Sequence, residues 1–290
     1  MATETAPPRG TVRISSPDNS RKDSYWVTPT AVLVTFIVFI VYSTVRAFMG
    51  KYFATYTDGN IFTNWTLAST LTNPGAIRPH YWSPFYDPYL PQYLPFLRNW
   101  KLGSWPISAS LYVLIYPLLF RLSCYYCRRT YYRAVFKDPE ACAVRERFAG
   151  RQYTGETKLP AKSLNYHRYL FYIAVILVIL HWVTLYEAFF CTQNNSKHLY
   201  IGLGTFVLML DTFALTAYTF TCHSWRHLIG GAFNRLSQHP ARTRLWTAVS
   251  KLNNYHGQFF WFSLFTVAFA DVYVYLVSSG VFVDPGFVIH

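Results

Sequence analysis

Five cysteines and nine histidines occur in this 290-residue chain, and eight of the fourteen crowd into five short stretches. Cys124 and Cys127 lie in "SCYYCRR", Cys142 in "DPEACAV", His167 in "NYHRYLFY", Cys222, His223 and His227 in "TFTCHSWRHLIGG", and His256 in "KLNNYHGQFF". On a helix His223 and His227 are four residues apart and share a face, with Cys222 about 100° round from His223. Zinc accepts a mixture of Cys and His, and a tetrahedral site takes four such donors from facing helices. Heme iron takes two His from different helices, while two Cys with two His is the ligand set of a Rieske [2Fe–2S] centre, in which His replaces Cys on one iron. The spacing matches no compact metal-binding signature, so a site here has to be assembled from separate elements. Plain packing is the competing explanation for a cysteine such as Cys124 or Cys222, because the residue type is commonly buried. His80, His181, His198 and His290 read as interfacial hydrogen-bonding groups, His239 as a loop residue, and Cys191 as a thiol without a partner.

The elements that must position these donors are membrane helices. Hydrophobic residues make up 52% of the chain and aromatic residues 20%, against 13% charged, about half the roughly 25% charged content of ordinary soluble domains. The apolar residues fall in long runs, which places the chain in the membrane class. The first 30 residues lack the apolar core of a cleavable signal peptide, and 1–29 reads as a flexible cytoplasmic tail. Five segments have the ~20 apolar residues that cross ~30 Å of hydrocarbon, at about 30–49, 107–127, 164–190, 199–229 and 245–277. The expected fold is all-α, an integral membrane bundle of five transmembrane helices spanning 30–290. Pro117 should kink the second helix or be tolerated through its neighbours, and the long fourth and fifth should tilt or project.

The formal charge of +13 follows topology rather than nucleic-acid binding. Arg9, Arg13, Arg21 and Lys22 lie in the tail, nine Arg and Lys lie between 128 and 162, and Arg235, Arg242, Arg244 and Lys251 follow the fourth helix. The positive-inside rule then puts the N-terminus in the cytoplasm and the C-terminus outside. The cytoplasmic loop is 128–163 and the external loop 50–106, whose "HYWSPFYDPYLPQYLPF" suits an ordered lid at the interface. All eight clustered Cys and His fall at the cytoplasmic ends of helices, where thiols stay reduced and disulfides are not expected.

Ionisable groups inside the spans form a second set. Asp211 and Asp271 lie deep in apolar sequence, where a carboxylate is costly and is by default a candidate proton relay or ligand-binding residue. Tyr218 shares a face with Asp211 at i+7, and Tyr275 with Asp271 at i+4. Interhelical hydrogen bonding is the structural alternative for all four.

The run "SCYYCRRTYYRAVFKDPEACAV", followed by "YTGETKLP", "NYHRYLFY", "CHSWRHLIGG" and "KLNNYHGQFFWFSLFTVAFADVYVYL", resembles the membrane-anchor (cytochrome b-like, C) subunit of respiratory complex II. It is similar in particular to the actinobacterial branch called type F succinate dehydrogenase, from about Tyr81 to the C-terminus. The resemblance implies a plasma-membrane succinate:quinone oxidoreductase subunit, partnered by a flavoprotein that oxidises succinate and an iron–sulfur protein. It also implies a Rieske-type [2Fe–2S] cluster in place of heme b, with menaquinone or ubiquinone as acceptor. Cys124 falls on the family's Cys-Tyr-Tyr-Tyr-Arg-Lys motif, while Cys127 stands where that motif has Tyr and is not expected to be a ligand. Cys142, His167, Cys222, His223, His227 and His256 match family positions. Cys124 and Cys222 with His167 and His227 are the first-choice ligands, Cys142 and His223 the next, and His256 is assigned to quinone or to supporting the cluster. Asp211, Asp271, Tyr218 and Tyr275 are expected on the quinone or proton path. A heme b-bearing anchor with paired His, and an unrelated membrane carrier using Asp211 and Asp271, are the competing readings. The odd number of spans and the absence of inverted repeats weigh against a carrier.

Overall fold

The computed structural model describes residues 23–50, 52–55, 77–89, 94, 97, 101–102, 105–106, 108–138, 141, 157–158, 161–194, 196–231, 235 and 238–289. Most of the N-terminal tail, Cys142, His290, most of the external loop and much of the cytoplasmic loop lie outside the described residues.

The first helix, α1, spans Val27–Met49. Its outer face carries Val34, Ile37, Val38, Val41 and Phe48, all exposed, as a lipid-facing helix requires. Strand β1 (Arg78–Pro79) follows, and a two-stranded ribbon of β2 (Lys101–Leu102) and β3 (Trp105–Pro106) precedes the second helix. Helix α2 is Ala109–Ser123 and α3 is Tyr125–Tyr131, continued by a π-helical turn at Tyr132–Phe136. Across the break at Cys124 the chain turns by 86°. A 3₁₀ turn at Ala161–Tyr166 leads into α4, His167–Glu187. Strands β4 (Phe190–Gln193) and β5 (Ser196–Gly202) form a hairpin, and α5 (Leu203–Phe220), α6 (His223–Gly230), α7 (Pro240–Asn253), α8 (His256–Ser278) and β6 (Gly286–Ile289) complete the order.

Among the described residues four helices are long and apolar enough to cross a membrane, or five if the bent pair α2–α3 is counted as one span. The spans expected at 199–229 and 245–277 are each interrupted. Residues 196–202 are strand, α6 breaks away from α5 at Cys222, and α7 is separated from α8 by a turn. Hydropathy runs on through these points, but hydropathy reports burial and not helix continuity. The chain leaves helical geometry at Cys124 (φ −72°, ψ 123°) and Cys222 (φ −63°, ψ 144°). At the second break the Cys222 sulfur accepts the Ser224 N–H, capping α6, which satisfies one of the orphan donors at a helix start.

An antiparallel four-stranded sheet, in the order β1-β4-β5-β6, is added at the end of the bundle away from Cys124 and Cys222. Asp284, just before β6, ties it to the helices. Its carboxylate accepts hydrogen bonds from Tyr81 Oη (2.8 Å), Tyr200 Oη (2.7 Å), Tyr273 Oη and the Gly204 N–H (2.8 Å). The last is a helix-start amide at α5, where a negative charge is favoured. The expected lid is visible only in part: the Pro- and Tyr-rich segment up to Tyr89 is inserted among the helices, with Tyr81 and Phe85 fully buried.

A buried ion pair joins α1 to α8. Arg46 Nε lies 2.7 Å from Asp271 Oδ2 and Nη2 lies 3.0 Å from Oδ1, with the side chains 3% and 0% exposed. Tyr42 and Ser83 also donate to the same carboxylate, and Arg46 lies over the Tyr275 ring at 4.8 Å.

Candidate metal centre

The break at Cys124, the break at Cys222, the first turn of α4 and the first turn of α8 meet at the end of the bundle opposite the sheet. Their donors form two groups. Cys124, Cys127 and His256 each place one ligand atom within 4.8 Å of the others, and so do His167, Cys222 and His223. His256 Nε2 is 3.4 Å from Cys124 Sγ, and His167 Nε2 is 3.0 Å from Cys222 Sγ. The second nitrogens of these imidazoles are anchored by hydroxyls, His167 Nδ1 by Ser123 (3.0 Å) and His256 Nδ1 by Thr221 (3.0 Å). Metal-ligating histidines are held in this way, with one ring nitrogen fixed in orientation by its outer neighbour.

Five of the six donors are buried, and His223 is half-buried. His223 Nδ1 is itself buried and has no hydrogen-bond partner among the described residues. A buried polar nitrogen without a partner costs about 1–3 kcal/mol, a penalty that coordination would remove. Burial pushes the Cys222 thiol up to about 12 and lowers the His223 imidazole below its ordinary value. Both groups are therefore neutral at pH 7, and a metal would have to displace the thiol proton on binding. His167 and His223 stack with ring centroids 5.6 Å apart and planes 10° from parallel.

The sequence candidates separate clearly. Cys124, Cys222, His167, His223 and His256 are brought together, and Cys127 joins them although its position departs from the family motif. Its place in the first turn of α3 after the Cys124 break turns its sulfur inward, which a linear motif does not register. His227 is exposed, one turn beyond His223 with ring centroids 5.7 Å apart, and belongs to neither group. Cys142 lies outside the described residues.

Among the quinone-path candidates, Tyr218 stacks on His256 at 4.8 Å, and its hydroxyl is 3.5 Å from Cys127 Sγ. Asp211 is buried in α5 and accepts from Thr266 (3.0 Å). Asp271 and Tyr275 lie far from the donors: Asp271 is fifteen residues along α8 from His256, ~22 Å at helical rise. They belong to the Arg46 ion pair, a partner on a distant helix that the sequence pattern does not reveal.

Beside the donors, on the side toward the sheet, is an apolar cavity of about 250 Å³, bounded by α1, α2, α4, α5, α8 and the segment around Phe85. That volume is many times the roughly 10–15 Å³ one water needs. Phe120 and Tyr218 line it while stacking on His167 (4.6 Å) and His256 (4.8 Å), so one layer of rings separates cavity from donors. Its polar lining includes Arg121, His181 and Asp87. Arg121 donates to Phe260 O (3.0 Å) and Ser263 Oγ (2.9 Å) and lies over the Tyr218 ring at 4.6 Å. The sequence had one signal for His181: an ionisable residue in the middle of an apolar span.

These features define a multi-pass membrane bundle carrying a buried Cys/His centre beneath an apolar cavity. Residues 60–280 match the family described as actinobacterial succinate dehydrogenase subunit SdhC. The chain belongs to that family, and so is the membrane-anchor subunit of an actinobacterial succinate dehydrogenase. It is similar, at 32% identity and a TM-score of 0.74, to a chain of the Mycobacterium smegmatis Sdh1 complex in the apo form, covering 97% of this chain and 98% of that one. None of the curated proteins matches it.

Proposed function

We propose that the chain relays electrons from the iron–sulfur subunit of its succinate dehydrogenase to a membrane quinone, by way of a Rieske-type [2Fe–2S] centre held by the two Cys/His groups. The observation that carries this reading is the partnerless, buried Nδ1 of His223 within a converging set of three cysteines and three histidines. A bound centre of this type would supply a one-electron carrier whose potential is raised by its imidazole ligands. Four of the six donors suffice, drawn from Cys124, Cys127 and Cys222 with His167, His223 and His256. Ser123 and Thr221 fix two of the imidazoles, and the Tyr218 hydroxyl beside Cys127 supplies a hydrogen bond toward sulfur, a contact that tunes such centres.

In this reading the quinone headgroup, menaquinone or ubiquinone, occupies the apolar cavity, with Arg121 favouring the negative charge that arrives with each electron. Ile40 and Leu118 line the cavity and are also 57% and 49% exposed on the outer surface of the bundle, which gives an isoprenoid tail a lateral way in from lipid. Asp211 keeps its place as a proton-path candidate. Succinate chemistry belongs to the flavoprotein, and the iron–sulfur subunit would dock on the basic cytoplasmic face in the plasma membrane, near Arg128, Arg129 and Arg226.

Low-temperature EPR with iron and sulfide analysis of the purified complex tests the relay. His167→Ala and Cys222→Ser should each remove a Rieske-type signal and abolish quinone reduction, while dye-coupled succinate oxidation by the soluble subunits persists. A Rieske-type signal surviving both substitutions, or a strong heme Soret band, would sink the reading.

A further inference from the structure

The external end of the cavity holds an acid–base pair that the relay does not use. His181, on α4, is fourteen residues beyond His167, ~21 Å along the helix toward the outside. Its Nδ1 lies 3.3 Å from Asp87 Oδ2 and 3.0 Å from Leu177 O, and Thr184 donates to Asp87 Oδ1 at 2.7 Å. The two side chains are only 12% and 8% exposed, yet both line the cavity. Leu177 O can only accept, so Nδ1 carries a proton, and Nε2 has no hydrogen-bond partner among the described residues. An imidazole held through Nδ1–H, with Nε2 open to an apolar chamber, is placed to deliver a proton from Nε2 when the ring is doubly protonated. A buried carboxylate without a cationic neighbour is costly; here burial pushes the Asp87 carboxyl above its ordinary value, and His181 and Thr184 oppose that shift.

We propose that the His181–Asp87 pair is the proton donor for a quinone reduced in this cavity, and that it draws its protons from the external side of the membrane. The proposal rests on the relay reading for its electrons. As each electron reaches the quinone, the His181 imidazolium, protonated at both nitrogens, breaks its Nε2–H bond to give a quinone oxygen its O–H and returns to the neutral Nδ1–H ring, which takes up another proton before the second transfer. Quinone, two electrons and two protons thus give quinol, while succinate oxidation to fumarate releases its two protons on the cytoplasmic side. Reprotonation follows the outer face of α4. His181, Thr184 and Glu187 recur at i, i+3 and i+6 over ~9 Å, Glu187 is 39% exposed, and His80 Nδ1 lies 3.4 Å from its carboxylate. Asp87 is the positioning residue, holding the imidazole and stabilising its charged form. The other ionisable groups are Arg121 on α2 and Tyr218 on α5, which line the chamber, and Asp211 on α5, whose carboxyl interacts electrostatically with both His181 and Asp87. Electrons moving outward and protons moving inward transfer positive charge toward the cytoplasm, so a membrane potential negative inside would drive turnover.

The decisive experiment needs no variant. The intact complex is reconstituted with its soluble subunits facing the bulk, with a pH-sensitive dye in the vesicle lumen and a short-chain quinone in the membrane. Succinate should make the lumen alkaline by two protons per succinate, and a protonophore should abolish the change. A lumen that stays neutral during turnover overturns the external proton source. In the same complex His181→Gln should lower quinone-reductase kcat about 10²-fold with KM within twofold, while leaving the EPR signal and dye reduction intact. Asp87→Asn, which removes the carboxylate that holds the ring at Nδ1, should lower kcat with KM within twofold and leave the EPR signal intact. Unchanged kcat in His181→Gln overturns the proposal. If His167→Ala abolishes quinone reduction while His181→Gln does not, the donor assignment fails and the relay stands. If His167→Ala is active, the relay itself has failed.

Discussion

Replacing Arg46 by Met isolates the energetics of the ion pair between α1 and α8. The guanidinium makes two short bonds to Asp271, and neither side chain sees solvent to any extent. Methionine keeps much of the volume but leaves a carboxylate buried with only the hydroxyls of Tyr42 and Ser83 as donors. Breaking one side of a buried pair costs about 3–5 kcal/mol, because an uncompensated charge stays behind. Removing the charge as well should recover most of that loss. The triple variant Arg46→Met, Tyr42→Phe, Asp271→Leu leaves one orphaned hydroxyl, on Ser83, at about 1–3 kcal/mol. It should therefore be more stable than Arg46→Met alone by roughly 2 kcal/mol. The assay is chemical denaturation of the detergent-solubilised complex, followed by exposure of the buried cysteines to a thiol-reactive fluorophore. A triple variant no more stable than Arg46→Met, or an Arg46→Met cost below about 1 kcal/mol, would refute the buried-charge reasoning. The triple variant also decides the role of Asp271. A stable complex that still reduces quinone makes it a structural anchor, and a stable complex that does not returns it to the proton path.

The exposed position of His227 predicts that His227→Ala keeps the iron content and EPR signal, whereas Cys127→Ser changes or removes them; metal analysis of the purified complex separates the two. Asp284→Ala leaves three tyrosine hydroxyls and the Gly204 N–H without their shared acceptor. It should release β6 and raise hydrogen exchange in Gly286–Ile289 by at least tenfold, while the α5–α8 contact stays protected. Tyr218→Phe keeps the ring on His256 but deletes the hydroxyl beside Cys127, and should lower the midpoint potential of the centre in a redox titration, since a hydrogen bond toward sulfur favours the reduced state. An unchanged potential would show that this hydroxyl does not act on the centre.

The membrane class, the long apolar helices and the gathering of Cys and His at one end were legible in the chain, because hydropathy is summed along sequence and tolerates errors of several residues. The family motif was also legible, and Cys127, which departs from it, nonetheless lies among the donors: a position outside a linear pattern can still converge in space. His181 could have been singled out by its depth alone. Asp87 could not, since nothing in the external loop shows which residue will be inserted among the helices.

Sequence by itself determined that apolar segments must cross the bilayer and that the clustered thiols and imidazoles end at one face of the bundle. Only tertiary structure decided that helices break at Cys124 and Cys222, that His227 faces away, and that Arg46 meets Asp271. Burial is a property of each segment's composition, whereas helix breaks and ion pairs become favourable only when a partner far along the chain replaces the hydrogen bonds and solvation that were given up.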